Sequence, residues 1–332
     1  MPLSADACSM AWDAADEPAW GTASIAGFWV ALEQPGPWGR TAFDSSRLDP
    51  RVGSALERES AAAGGRALLV RAVSGRDAAA DRGGRPAGRD GTPRSPGPDE
   101  RTVFVAGGMP QGRPWLLAGT VTDPARVIDL PWAAIAAGDA PAVLAAAPWL
   151  TPRAEPVLLV CAHSKRDVCC AVRGRPVARD AAAARPGQVW ECSHTGGHRF
   201  APTAVLLPHG TTLGRLDAGV AVEAVDAAAG DRLPAGLDVR SGLRGLSYLG
   251  LVEQVADAAV REHAGVDDLL ALRVRTRPSD PSGPTRRVEV THADGRRWAV
   301  EVSHRVGGPA RPGSCGAAPV PSTCFDADVT AL

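Results

Sequence analysis

Apolar runs of strand length punctuate the first half of the chain, at 28–32, 67–70, 103–105 and 115–118. Between the first two, residues 50–63 set Leu56 among charged neighbours, which predicts a helix with one buried face. A further strand at 156–160 runs straight into Cys161. Helical stretches follow near 177–184, 220–229 and 243–262, the last closing before Ala264-Gly265. Strands at 272–276 and 287–291 come next. The tight turn His292-Ala293-Asp294-Gly295 then predicts a hairpin into 297–304. This mixture predicts an α/β fold of two small mixed-sheet units, 1–150 and 151–308, with a Pro/Gly-rich tail over 309–332. A thioredoxin-like arrangement is compatible with both units, but pattern alone does not select it. No repeat is visible at the level of identity.

Composition changes the picture at three places. Residues 74–100 are almost all Arg, Asp, Gly, Pro, Ala and Ser, which predicts a disordered surface insertion with nothing to bury. Lys and Arg number 36 against 37 Asp and Glu, so charge gives no case for nucleic acid or an anionic membrane as partner. No apolar run approaches the roughly 18 residues of a membrane span, and the first residues have neither a basic nor an apolar leader region. A cytoplasmic location is the expectation. The 7 cysteines are odd in number and sparse, which favours free thiols or metal ligands over a disulfide framework.

The chemistry gathers in two short segments. One is Cys161-Ala162-His163-Ser164-Lys165-Arg166-Asp167-Val168-Cys169-Cys170, and the other is Cys192-Ser193-His194-Thr195-Gly196-Gly197-His198. Together they hold four of the 7 cysteines and three of the 7 histidines. Spacing leaves several ligand selections open. Two thiolates and two imidazoles suit zinc. Cys161-Ala162-His163 with Cys192-Ser193-His194 imitates a Rieske pair, but the second pair has one intervening residue where that motif has two. Cys161 and Cys170 with His194 and His198 make a third selection. No Cys-x-x-Cys pair supports a dithiol redox site, and no glycine-rich phosphate loop or dinucleotide fingerprint is present.

At these residues a family likeness enters. Cys161-x-His163-x-x-Arg166-Asp167-x-x-Cys170 followed by His194-x-x-Gly197-His198-x-x-Ala201 resembles the sucrase/ferredoxin-like family, which includes the fungal actin-patch-distribution protein. The likeness extends through Cys8-Ser9, Gly21-Thr22-Ala23, the 33–39 turn, Arg244-Gly245 and Ser314-Cys315-Gly316. The resemblance implies a thioredoxin-like ferredoxin domain in the second unit, with a [2Fe-2S] cluster on Cys161, Cys170, His194 and His198. It further implies a soluble one-electron carrier with unidentified donor and acceptor proteins and with scope for proton-coupled redox. Homo-oligomerisation is left open. Cys169 and Cys192 are spare thiols beside this set. Sugar hydrolysis is not expected, because Glu33, Asp167 and Glu191 have no spacing that argues a carboxylate pair.

The competing reading is a zinc-stabilised adaptor on the same Cys/His set, with a thiol reductase using Cys169 or Cys192 a distant third. Around the ligands, Arg166 and Asp167 are expected to brace each other, and His163 to donate to a sulfur or to backbone. Trp38, in the rigid turn Glu33-Gln34-Pro35-Gly36-Pro37-Trp38-Gly39, is expected to face the second unit. Cys315 and Cys324 are expected in a floppy tail.

Overall fold

The computed structural model describes residues 7–15, 17–73, 99–110, 112–277 and 285–332. Nearly all of the insertion expected at 74–100 lies outside them. The strand-length runs become β1 (Trp29–Glu33), β2 (Arg66–Ala72), β3 (Arg101–Gly107) and β4 (Trp115–Val121). A short α1 (Cys8–Asp13) precedes them, and α2 (Ala42–Ser45) and α3 (Pro50–Ala62) lie between β1 and β2. Asp49 starts α3 by accepting the Arg51 amide, with Pro50 at the first helical position. Two short helices, α4 (Trp132–Ala136) and α5 (Ala140–Ala146), lead to β5 (Leu150–Pro152). The expected boundary at 150/151 therefore falls within an edge strand.

The second unit follows the same plan. β6 (Val157–Cys161), α6 (Val168–Ala184) and β7 (Val189–Cys192) form a crossover unit. β8 (Ala204–Leu207), β9 (Thr211–Leu213), α7 (Ala218–Ala228), α8 (Val239–Gly242) and β10 (Leu243–Leu246) complete it. The long helix expected from 243 begins later, as α9 (Leu251–Ala264), because Leu243–Leu246 pairs with β9 instead. Gly265 in the left-handed region ends it.

All ten strands join one sheet in the order β10-β9-β8-β6-β7-β2-β1-β3-β4-β5. The order reads as two five-stranded halves meeting at their β2 and β7 edges. In each half the first strand is parallel to the second and antiparallel to the third, and the remaining pairs are antiparallel. Each half thus has the thioredoxin-like strand order, repeated without visible sequence identity. The halves are fused by antiparallel pairing of Val70, Arg71 and Ala72 with Cys192, Glu191 and Trp190. Arg71 also donates to the Glu191 carboxylate at 2.7 Å across this seam.

A second sheet holds β11 (Leu272–Thr276), β12 (Thr285–His292), β13 (Arg297–Val306) and β16 (Thr323–Ala331), in that order. The expected β12–β13 hairpin is present. A small ladder of β14 (Arg311–Pro312) and β15 (Pro319–Val320) stands apart. The floppy-tail expectation is corrected by β16, whose nine residues all pair with β13. Along this strand Phe325, Ala327 and Val329 pack against the apolar cluster, while the alternating Asp326 and Asp328 stay in reach of water. The buried face of α9 packs in one apolar cluster with α6, α7 and Val288, Val290 and Val300 of the second sheet. Among the described residues no helix is long and apolar enough to cross a membrane.

One close approach ties this packing to the chemistry. A Cβ at Gly174 would lie 2.3 Å from the Cys161 carbonyl oxygen, so α6 rests on β6 through a missing side chain. Gly to Ala in a helix interior ordinarily stabilises by about 1 kcal/mol. Here the obstacle is backbone, which does not rotate away, and overpacking of this kind costs about 1–3 kcal/mol. Gly174→Ala should lower the urea midpoint and move Cys170 off Cys161. Gly230→Ala, where the nearest atom is 3.7 Å away, should change stability by no more than about 0.5 kcal/mol. Equal effects in both variants would contradict the steric account.

Candidate metal centre

The site grows from two strand ends. β6 stops at Cys161, and the chain loops through 162–167 into α6, where Asp167 caps the helix by accepting the Cys169 amide at 2.9 Å. Cys169 and Cys170 follow in the first helical turn. Successive helical residues point about 100° apart, so the two thiols face different neighbours. Cys170 turns back toward β6 and lies 3.3 Å from His198 Nδ1. Cys169 turns away, toward Cys8 and Cys315 at 3.5 and 3.1 Å.

The second ligand segment leaves β7 at Cys192, the strand neighbour of Cys161. Gly197 has φ +68°, and a Cβ there would lie 2.4 Å from the Arg244 guanidinium. This backbone turn lets His198 fold back beside His194. Their rings stack with centroids 4.1 Å apart and planes 15° apart. The Gly196 amide donates to His194 Nδ1 at 3.2 Å and holds that ring's orientation.

Cys161 adjoins both Cys170 and His194, so the four expected ligands come together in a chain of contacts. Hydrogen bonding from Cys170 holds the buried Cys161 thiol well below its ordinary pKa, aided by His194 and the Thr195 and His163 amides. The same bond pushes Cys170 up, with burial adding to it. Burial, with the neighbouring His194, lowers His198 to about 4. At neutral pH its imidazole is uncharged, the form that can ligate a metal. On this side the donor atoms of Asp167, Cys170 and His198 lie within 4.8 Å of one another.

The surroundings are as specific as the donors. Arg244 is fully buried and donates to Gly196 O at 3.0 Å, to Thr22 Oγ1 at 3.1 Å and to Thr22 O. Burial lowers its pKa to about 9. It clamps the Gly196-Gly197 loop to the chain around Thr22. Trp38 is buried in the core of the first half, with its ring edge against His163 at 5.8 Å, as expected of a residue facing the second half. His163 bonds through Nε2 to Gly39 O at 2.6 Å, the backbone alternative of the two expected, and its buried Nδ1 has no partner among the described residues.

The Arg166–Asp167 brace is not formed. Asp167 is buried and spends its oxygens on the Cys169 and Cys315 amides, while Arg166 lines an open cavity of about 300 Å³ with Arg40, Arg66, His163 and His194. Cys192 is a fully buried core residue whose thiol is pushed up by burial. Cys315 and Cys324 form no disulfide, and Cys315 joins Cys8 and Cys169. Sequence reading missed that convergence, although Cys8-Ser9 and Ser314-Cys315-Gly316 both stood within the family likeness.

Fold and donors together define a mixed α/β protein with a clustered Cys/His set able to hold a metal. The profile of the family described as Sucrase/ferredoxin-like matches residues 20–232, and the chain belongs to that family. The match includes both ligand segments and leaves Cys8, Arg244 and Cys315 outside. No curated protein and no solved structure matches the chain.

The clamp on the loop is testable. Arg244→Gln removes charged hydrogen bonds worth about 1.5–3 kcal/mol each. It should lower the denaturant midpoint and reduce bound metal, because His198 loses its fixed position. Full metal content in a destabilised variant would show that the loop holds its shape without the clamp.

Proposed function

We propose that the chain is a one-electron carrier holding a [2Fe-2S] cluster on Cys161, Cys170, His194 and His198. The observation carrying this reading is the ring of contacts in which Cys161 touches Cys170 and His194, and His198 touches both Cys170 and His194. The donor chemistry fits. Two soft sulfurs and two imidazoles are a ligand set such a cluster accepts, and the neutral imidazoles raise its potential above that of an all-thiolate one. When bound, the cluster supplies a redox pair that takes up and returns one electron.

The chain's own residues do the rest. Donors to Cys161 favour its thiolate, burial keeps His198 neutral, and the 33–39 turn covers the site through His163 and Trp38. His194 is half-buried and reaches a cavity lined by Arg40, Arg66 and Arg166 together with Asp44 and Glu57.

A second reading is a single zinc on Asp167, Cys170 and His198, favoured by the closeness of those three donors. It is the weaker one, because three donors leave a tetrahedral ion one protein ligand short and give Cys161 and His194 no part in the site.

Anaerobic purification followed by iron, acid-labile sulfide and zinc assays separates the two. The expected result is a coloured protein with two irons and two sulfides per chain. Colour should vanish in Cys161→Ser, Cys170→Ser, His194→Ala and His198→Ala, and survive in Cys192→Ala. A colourless protein whose zinc depends on His198 and on Asp167 would establish the second reading instead.

A further inference from the structure

Three cysteines that the first centre leaves unused meet on the other side of Asp167. Cys8 opens α1, Cys169 sits in the first turn of α6, and Cys315 lies between β14 and β15. Their sulfurs form a triangle with edges of 3.1 Å for Cys169–Cys315, 3.5 Å for Cys8–Cys169 and 3.6 Å for Cys8–Cys315. A disulfide needs about 2.05 Å, and all three cysteines are free. A tetrahedral zinc with Zn–S bonds of about 2.3 Å sets its sulfurs about 3.8 Å apart, so the triangle needs only a small outward relaxation to admit an ion.

A fourth donor completes the corner. Asp167 Oδ2 lies 3.7 Å from Cys8 Sγ, and the four donor atoms all lie within 4.8 Å of one another. The carboxylate is aimed by the Cys169 and Cys315 amides, at 2.9 and 2.8 Å, so its orientation is set before any ion arrives. Cys8, Cys169 and Asp167 are buried and Cys315 is half-buried, so the site is largely enclosed by protein. A buried carboxylate packed against three sulfurs is costly without a cation. Arg199 does not fill that role, because its guanidinium is stacked on the rings of Trp12 and Phe200 at 4.8 and 4.6 Å.

We propose that Cys8, Cys169, Cys315 and Asp167 form a structural site for a thiolate-preferring divalent cation, with zinc as the ion that fits. On binding, each thiol gives its proton to solvent and donates a sulfur lone pair, and no electron is transferred. The ion staples α1 and the C-terminal segment to the start of α6, one residue from Cys170. The site is separate from the centre proposed above, and neither depends on the other being correct.

The test measures iron and zinc together in the full chain. The unmodified protein should retain one zinc per chain through gel filtration. Cys315→Ser should lose that zinc and keep the iron, whereas His194→Ala should lose the iron and keep the zinc. Cobalt replacing the zinc should give a thiolate charge-transfer band that Cys315→Ser lacks. Where a variant fails to fold, alkylation of the unmodified chain decides. Zinc should protect Cys8, Cys169 and Cys315, and a chelator should expose them. The proposal is overturned by alkylation indifferent to zinc, by a Cys169–Cys315 disulfide peptide, or by zinc that survives in Cys315→Ser and disappears in His198→Ala.

Discussion

The antiparallel pairing of β2 with β7 is the interaction on which the rest of the structure depends. Without it the chain would be two half-sheets, each with an open edge of unpaired amides and carbonyls. With it the halves become one sheet, and the first half is held in register against the segment that carries His194. Ser193 shows how tight the seam is, since its amide donates to Leu69 O and its hydroxyl accepts the Leu69 amide, at 2.8 and 3.0 Å. The residue before His194 is thereby fixed by the other half of the molecule.

The repeated topology gives the halves unequal duties. Glu33 ends β1 as Cys161 ends β6, but Glu33 accepts the Thr102 amide and bears no metal chemistry. The loop after it becomes a cover, in which Gly39 bonds His163 and the ring of Trp38 lies under the Arg71 guanidinium at 4.5 Å. One half therefore presents the donors while its counterpart shields them from water. Exclusion of water matters because it governs the ease with which a metal ligand is protonated.

Asp167 is the second hub, and it works at the level of single atoms. Its carboxylate caps α6, receives the Cys315 amide, faces Cys8 and stands 4.0 Å from His198 Nδ1. A residue so placed links the segments around Cys8 and Cys315 to the first turn of α6. Arg166, its neighbour in sequence, lines the cavity instead.

Local chemistry made much of this protein legible in its sequence. Short apolar runs became strands, the stretch from Pro50 became a helix, and a His-Ala-Asp-Gly turn closed a hairpin. These readings succeed because strand pattern, capping and turn geometry act over a few residues. The fusion of two like halves at β2 and β7, the pairing of β16 with β13, and the meeting of Cys8, Cys169 and Cys315 were decided only by tertiary structure. Sequence separations of 146 to 307 residues join those sulfurs, and nothing local records such a distance. Even the different facing of Cys169 and Cys170 required the helix, whose 100° step sends adjacent thiols to different sites.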